Sequence, residues 1–186
     1  MKYFQILIIL FCLFIFQQSA FADFATVEDP NSSCQIKLLK PLAQGESVSW
    51  SGPCENGLAN GEGVFILYGK NGNELYKYSG LIKDGVREGH AIIEAYSYKY
   101  EGDVKNCVPD GSGKIEYLNK GSNVVSYEGE FKRGLYNGKG AIKYKDGSVY
   151  TGEFKNGLRD GYGTFRGSNG KIIYDGLWKE NVFLGK

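Results

Sequence analysis

The sequence predicts an all-β fold: an elongated, twisted single antiparallel sheet of consecutive β-hairpins. Three observations carry this expectation. Glycine (27 residues) and aromatic residues (15%) are both abundant, while proline is scarce at 4. Glycines and rings alternate within short segments at the two-residue period of a strand. The alternating unit then recurs along the chain, the signature of a repeat architecture.

The first element precedes the sheet. Lys2 is followed by an apolar run from Ile6 to Phe16, then Gln17, Gln18, Ser19 and Ala20-Phe21-Ala22. A basic start, an apolar core and a small-x-small ending predict a secretory signal peptide over residues 1–22, cleaved after Ala22. The run is shorter than the ~20 apolar residues a spanning helix needs. The expected location is therefore export, to a periplasm or outside the cell. Removing Lys2 from 22 basic residues leaves 21 against 21 acidic ones, a mature charge near zero. That balance argues against a nucleic-acid binder.

The clearest repeat runs Tyr150, Gly152, Phe154, Gly157, Gly161, Gly163, Phe165. The copy before it has Tyr127, Gly129, Phe131, Gly134, Gly138 and Gly140. Earlier copies begin at Trp50, Tyr78 and Tyr100, and a shortened one begins at Tyr174. Within a copy, Tyr150, Gly152 and Phe154 share one face, and Thr151, Glu153 and Lys155 the other. Each copy is thus a hairpin with a glycine/aromatic face and a polar face. Asn156-Gly157 suits a tight turn that needs positive φ. One hairpin cannot bury its own apolar face, so neighbours must join into a continuous sheet.

The pattern Tyr-x-Gly-x-aromatic-x-x-Gly-x-x-x-Gly-x-Gly resembles the MORN (membrane occupation and recognition nexus) repeat, over about residues 48–186. The resemblance implies an all-β array of hairpins, without catalytic activity or a cofactor, engaged in protein or lipid association. Cys107, Ala91 and Asn181 each replace a glycine of that pattern.

Residues 23–47 form a leader and an N-terminal cap. Asp23 to Ser33 show no period and read as a loose leader. Val64, Ile66, Tyr68 and Ile92 are apolar on the polar face of the first two repeats. The segment Ile36 to Leu42 is expected to cover that second face, as the ends of repeat arrays require. Export permits disulfides. The expected bridge is Cys34–Cys54, tying the cap to the first repeat and leaving Cys107 as a turn residue.

Signals for chemistry are few. His90 is the single histidine and has no partner at metal-ligand spacing. The Gly-x-Gly pairs open strands and recur with the repeat, unlike a phosphate loop, which leads into a helix. Glu128, Glu130 and Glu153 alternate with Lys132 and Lys155 and are explained by cross-strand charge pairing. The expected partner is therefore another protein. Tyr96, Tyr98, Tyr136 and Tyr162, which fall outside the repeated aromatic positions, are the candidate contact residues. Membrane lipid or a glycan is the alternative, and a secreted hydrolase a remote third. The strand after Tyr174 is expected to pair with Val182 to Gly185 or, by self-association, with another molecule.

Overall fold

The computed structural model describes residues 24–186; the expected signal peptide and its cleavage point at Ala22 lie outside them. The described residues form strands without a helix. The leader and cap supply β1 (Ala25–Glu28) and β2 (Gln35–Leu38). Then come β3 (Ser47–Trp50), β4 (Cys54–Glu55), β5 (Leu58–Ala59), β6 (Gly61–Tyr68), β7 (Glu74–Lys83) and β8 (Val86–Ala95). The later strands are β9 (Tyr98–Lys105), β10 (Val108–Tyr117), β11 (Val124–Lys132), β12 (Leu135–Tyr144) and β13 (Val149–Lys155). The last are β14 (Leu158–Arg166), β15 (Ile172–Lys179) and β16 (Val182–Gly185).

Twelve strands, β3 and β6 to β16, form one open antiparallel sheet in simple sequence order. This is the predicted array of hairpins. A second sheet of four short strands, β1-β2-β5-β4, was not expected. The leader is therefore not loose, since Ala25–Glu28 pairs in register with β2.

Two cross-strand ladders organise the inner face of the large sheet. On one face, Trp50, Phe65, Tyr78, Ile93, Tyr100, Ile115, Tyr127, Ile142, Tyr150, Phe165 and Tyr174 stand opposite one another in succession. Two residues along each strand runs a glycine ladder, from Gly63 and Gly80 to Gly163 and Gly176, interrupted only by Ala91. The glycines exist because the tyrosines lie across them. A Cβ at Gly140 would stand 2.5 Å from the Tyr127 hydroxyl, and one at Gly113 2.5 Å from the Tyr100 hydroxyl. Lying flat lets each hydroxyl donate to the carbonyl three residues on. Tyr78 reaches Leu81, Tyr100 reaches Asp103 and Tyr127 reaches Glu130, each at 2.7 Å; Tyr150 reaches Glu153 at 3.2 Å. The indole N–H of Trp50 makes the same bond to Pro53 at 2.9 Å.

One edge of the array carries the two-residue turns. Asn56-Gly57, Asp84-Gly85, Asn106-Cys107, Arg133-Gly134, Asn156-Gly157 and Glu180-Asn181 all have positive φ at both residues. Cys107 and Asn181 thus keep the turn geometry without glycine, at φ 69°. Five of these six turns are also fastened to the hairpin before them. The second-residue N–H of five turns donates to Ala59, Arg87, Pro109, Tyr136 or Arg159 at 2.7–3.1 Å.

The cap lies along this turn edge. Gln35 N–H donates to Gly57 O and Lys37 N–H to Gly85 O, both at 2.8 Å, while the Cys107 thiol meets Lys37 O at 3.8 Å. Cys34 is bonded to Cys54, Cα to Cα 5.8 Å, as expected. The face covered differs from the expectation. Ile36 and Leu38 are buried in one cluster with Trp50, Phe65, Tyr78 and Ile82, on the aromatic side. Ile92, on the second face, stays 47% exposed. The reason is volume. Where later hairpins put Phe131, Phe154 and Trp178 on the aromatic face, the earlier ones put only Ile82 and Val104. The cap side chains fill the deficit.

Asp29 anchors the cap. It is buried and accepts from the Ser32 hydroxyl at 2.5 Å and the Asn31 N–H at 3.2 Å. Burial pushes its carboxyl up, but hydrogen bonds from Ser32, Asn31 and Trp50 outweigh that and hold it below its ordinary value.

Candidate interaction surface

The aromatic face is closed by its own side chains. Tyr127 packs edge-on against Phe131 and Phe154, with centroids 5.1 Å apart in each pair, and Tyr150 against Trp178 at 5.3 Å. Burial pushes the Tyr150 hydroxyl up to about 12 and those of Tyr78, Tyr100 and Tyr127 further. The face left to partners is the outer one.

Two rows define the outer face. One runs Val64, Ser79, Ile92, Glu101, Lys114, Glu128, Ala141, Thr151, Thr164, Asp175. It passes from apolar through charged to short polar residues. A neighbouring row carries Lys77, Glu94, Lys99 and Glu116 in direct opposition. Ion pairs tie its middle: Lys77–Glu94 at 3.6 Å, Lys99–Glu94 at 3.0 Å and Lys114–Glu116 at 2.5 Å. These exposed pairs are screened by solvent and add little to stability.

Glu130 and Glu153 do not serve in such pairing. The Glu130 carboxylate accepts the backbone N–H of Lys139 at 2.9 Å, and Glu153 that of Tyr162 at 3.2 Å. Asp103 does the same for Ser112 at 3.0 Å. Each carboxylate lies over a glycine, Gly138, Gly161 or Gly111, where the strand register shifts beside a bulge. Their role is to satisfy the N–H that follows that glycine. Alternation alone could not show this, because the bulge breaks the register.

The four expected contact tyrosines separate. Tyr96 is 95% exposed at the tip between β8 and β9. Tyr162 is 66% exposed on the outer face. Tyr98 is half-buried against the core. Tyr136 is not a surface residue: it is 7% exposed, stacked on Tyr127 at 3.7 Å and hydrogen-bonded to the Tyr117 hydroxyl at 2.5 Å. It stands opposite the inward-facing Phe131 in register, so its strand turns it inward. This places it at a repeat position the sequence pattern left blank, midway between turn and glycine. Ala59, Arg87, Pro109, Arg159 and Phe183 occupy the same place.

Tyr162 faces Leu177 in register across β14 and β15, and Leu177 is 38% exposed. Two shallow troughs meet at Tyr162 and Thr151, walled by Glu128, Glu153, Thr164 and Asp175. Leu177 is absent from the sequence-derived candidates, although its alternation with Gly176 and Trp178 marks it as outward. Among the described residues no three of His, Cys, Asp and Glu gather as a metal site. His90 lies 3.5 Å from Asp103 on the exposed face.

The MORN-repeat family model matches residues 55–71, 127–149 and 150–172. These three segments are MORN repeats. The second and third matches begin at Tyr127 and Tyr150, the leading rings of two hairpins. The hairpins led by Tyr78 and Tyr100 lie outside the matches yet continue the same MORN ladders, with Ala91 and Cys107 departing from the pattern. No curated protein matches the chain. MORN repeats indicate a repeat-based binding or scaffold role and belong to a family that is generally non-enzymatic.

Proposed function

We propose that this MORN-repeat chain is an exported, non-catalytic scaffold that binds a partner protein through the outer face of its C-terminal hairpins. One observation carries the reading. Tyr162 and Leu177 stand side by side, exposed, on strands whose other rings are turned inward. A ring beside an aliphatic side chain, rimmed by charge, is the composition of an interface centre. Both residues lie within the sheet, so their exposure does not depend on the edge strand. Export rests on the residue 1–22 pattern and agrees with the Cys34–Cys54 bridge, which suits an oxidising compartment. The test is capture of interacting proteins from the exporting cell by wild type and by Tyr162→Ser/Leu177→Ser. Retention of the same partners by the double variant would reject the surface.

A second reading, glycan binding, is favoured by the hydroxyls of Thr151 and Thr164 and the carboxylate of Asp175 around the Tyr162 ring. Binding to a glycan array, lost in Tyr162→Ser, would place it first. Lipid is less favoured, because the near-neutral mature charge gives little attraction to anionic headgroups. Flotation with anionic liposomes at low salt separates it from the other two.

A further inference from the structure

Two hairpins carry arginine at the position midway between turn and glycine, and the two are satisfied differently. Arg159 lies over Trp178 at 4.3 Å and Tyr150 at 5.4 Å. Its Nε donates to Asn181 Oδ1 at 3.2 Å and its Nη2 to Asn181 O at 3.0 Å. Asn181 is the second residue of the following turn. Arg87 has Cys107 in that place, and the Cys107 N–H donates to Arg87 O as the Asn181 N–H does to Arg159 O.

Cysteine offers no amide oxygen. Arg87 lies instead over Phe65 at 5.3 Å, Tyr76 at 5.7 Å and Tyr78 at 6.0 Å. It is only 6% exposed, and its Nε is buried with no hydrogen-bond partner. No ion pair with a carboxylate is formed among the described residues. A guanidinium stays charged and holds its donors in a planar fork. Ring faces offset part of the charge but supply no in-plane acceptor. A buried cation without an anion is costly to keep. The Nη groups are not enclosed in the same way, so the fork is reachable at its tip.

We infer that Arg87 holds a small oxyanion, a carboxylate or phosphate group, end-on at the paired Nη groups of its fork, at the N-terminal end of the aromatic face. Bidentate capture of such a group is what this fork does best. The site lies on the opposite face from Tyr162 and Leu177 and stands or falls separately from the proposed partner surface.

The test is a pair of NMR titrations of the mature protein, with sodium acetate and with inorganic phosphate, at constant ionic strength set by chloride. The readout is the arginine Nε–Hε resonances, with Arg159 as the internal reference. A saturable shift of the Arg87 resonance, with Arg159 unmoved, is expected. Response to acetate alone assigns a carboxylate, and response to phosphate alone a phosphate group. The same anion should raise the thermal midpoint of wild type and not of Arg87→Gln. An Arg87 resonance that neither anion moves, or that moves only in parallel with Arg159, overturns the inference. The wild-type titration decides even if Arg87→Gln fails to fold.

Discussion

The two ends of the sheet solve one problem in different ways. In β11 to β14 the repeat seals itself: Tyr127, Phe131, Tyr136, Tyr150 and Phe154 pack ring on ring over the glycine ladder. In β6 to β9 the corresponding residues are smaller, Ile82 and Val104, and a separate segment brings Ile36 and Leu38 to complete the cluster. A covalent bridge and three bonds to successive turns hold that segment in place. The repeat therefore specifies backbone and turn geometry, while the filling of the aromatic face is negotiable.

The contrast can be broken most severely at its ring-sealed end. Tyr127→Ala removes contacts to Phe131, Tyr136 and Phe154 and the bond to Glu130, and should cost about 4 kcal/mol in denaturant unfolding. Cys34→Ser/Cys54→Ser comes next, at about 3 kcal/mol on chain-entropy grounds. Its effect should be confined to the capped end, read by limited proteolysis within residues 24–60. Tyr136→Phe keeps the stacked ring and deletes the bond to Tyr117, for about 1 kcal/mol of unfolding free energy.

The smallest effect sharpens the comparison by pH. The Asp29 carboxyl is depressed in the folded state, so its contribution is complete above the unfolded value of 3.8. It is lost as pH falls through the folded value. Acid should therefore loosen the cap before the ring-sealed hairpins, seen as earlier acid quenching or shift of Trp50 than of Trp178 fluorescence in single-tryptophan variants. Asp29→Asn should remove the difference.

Much of this was legible in the residues. Recurring Tyr-x-Gly and Gly-x-Gly patterns carried the strand faces, because period-two alternation is set by the backbone and survives wherever the register is regular. The Cys34–Cys54 bridge was legible because only three cysteines follow Ala22 and two flank the cap. Tyr136 was misplaced because the pattern was read from glycines and leading rings alone. Its place on the inner face follows from its pairing with Phe131 beyond a bulge, which the pattern does not show. The cap was assigned to the wrong face because apolar Val64, Ile66 and Ile92 at outward positions suggested a need, whereas the real deficit was the small volume of Ile82 and Val104. The roles of Glu130 and Glu153 were hidden, since a bulge is a register shift that alternation does not reveal.

Hydrogen exchange of the mature protein, with and without reductant, tests the two-way sealing most directly. The account predicts that reduction speeds exchange in β2, β3, β6 and β7 and leaves β11 to β14 protected. Uniform loss of protection along the sheet, or none at the capped end, would contradict it.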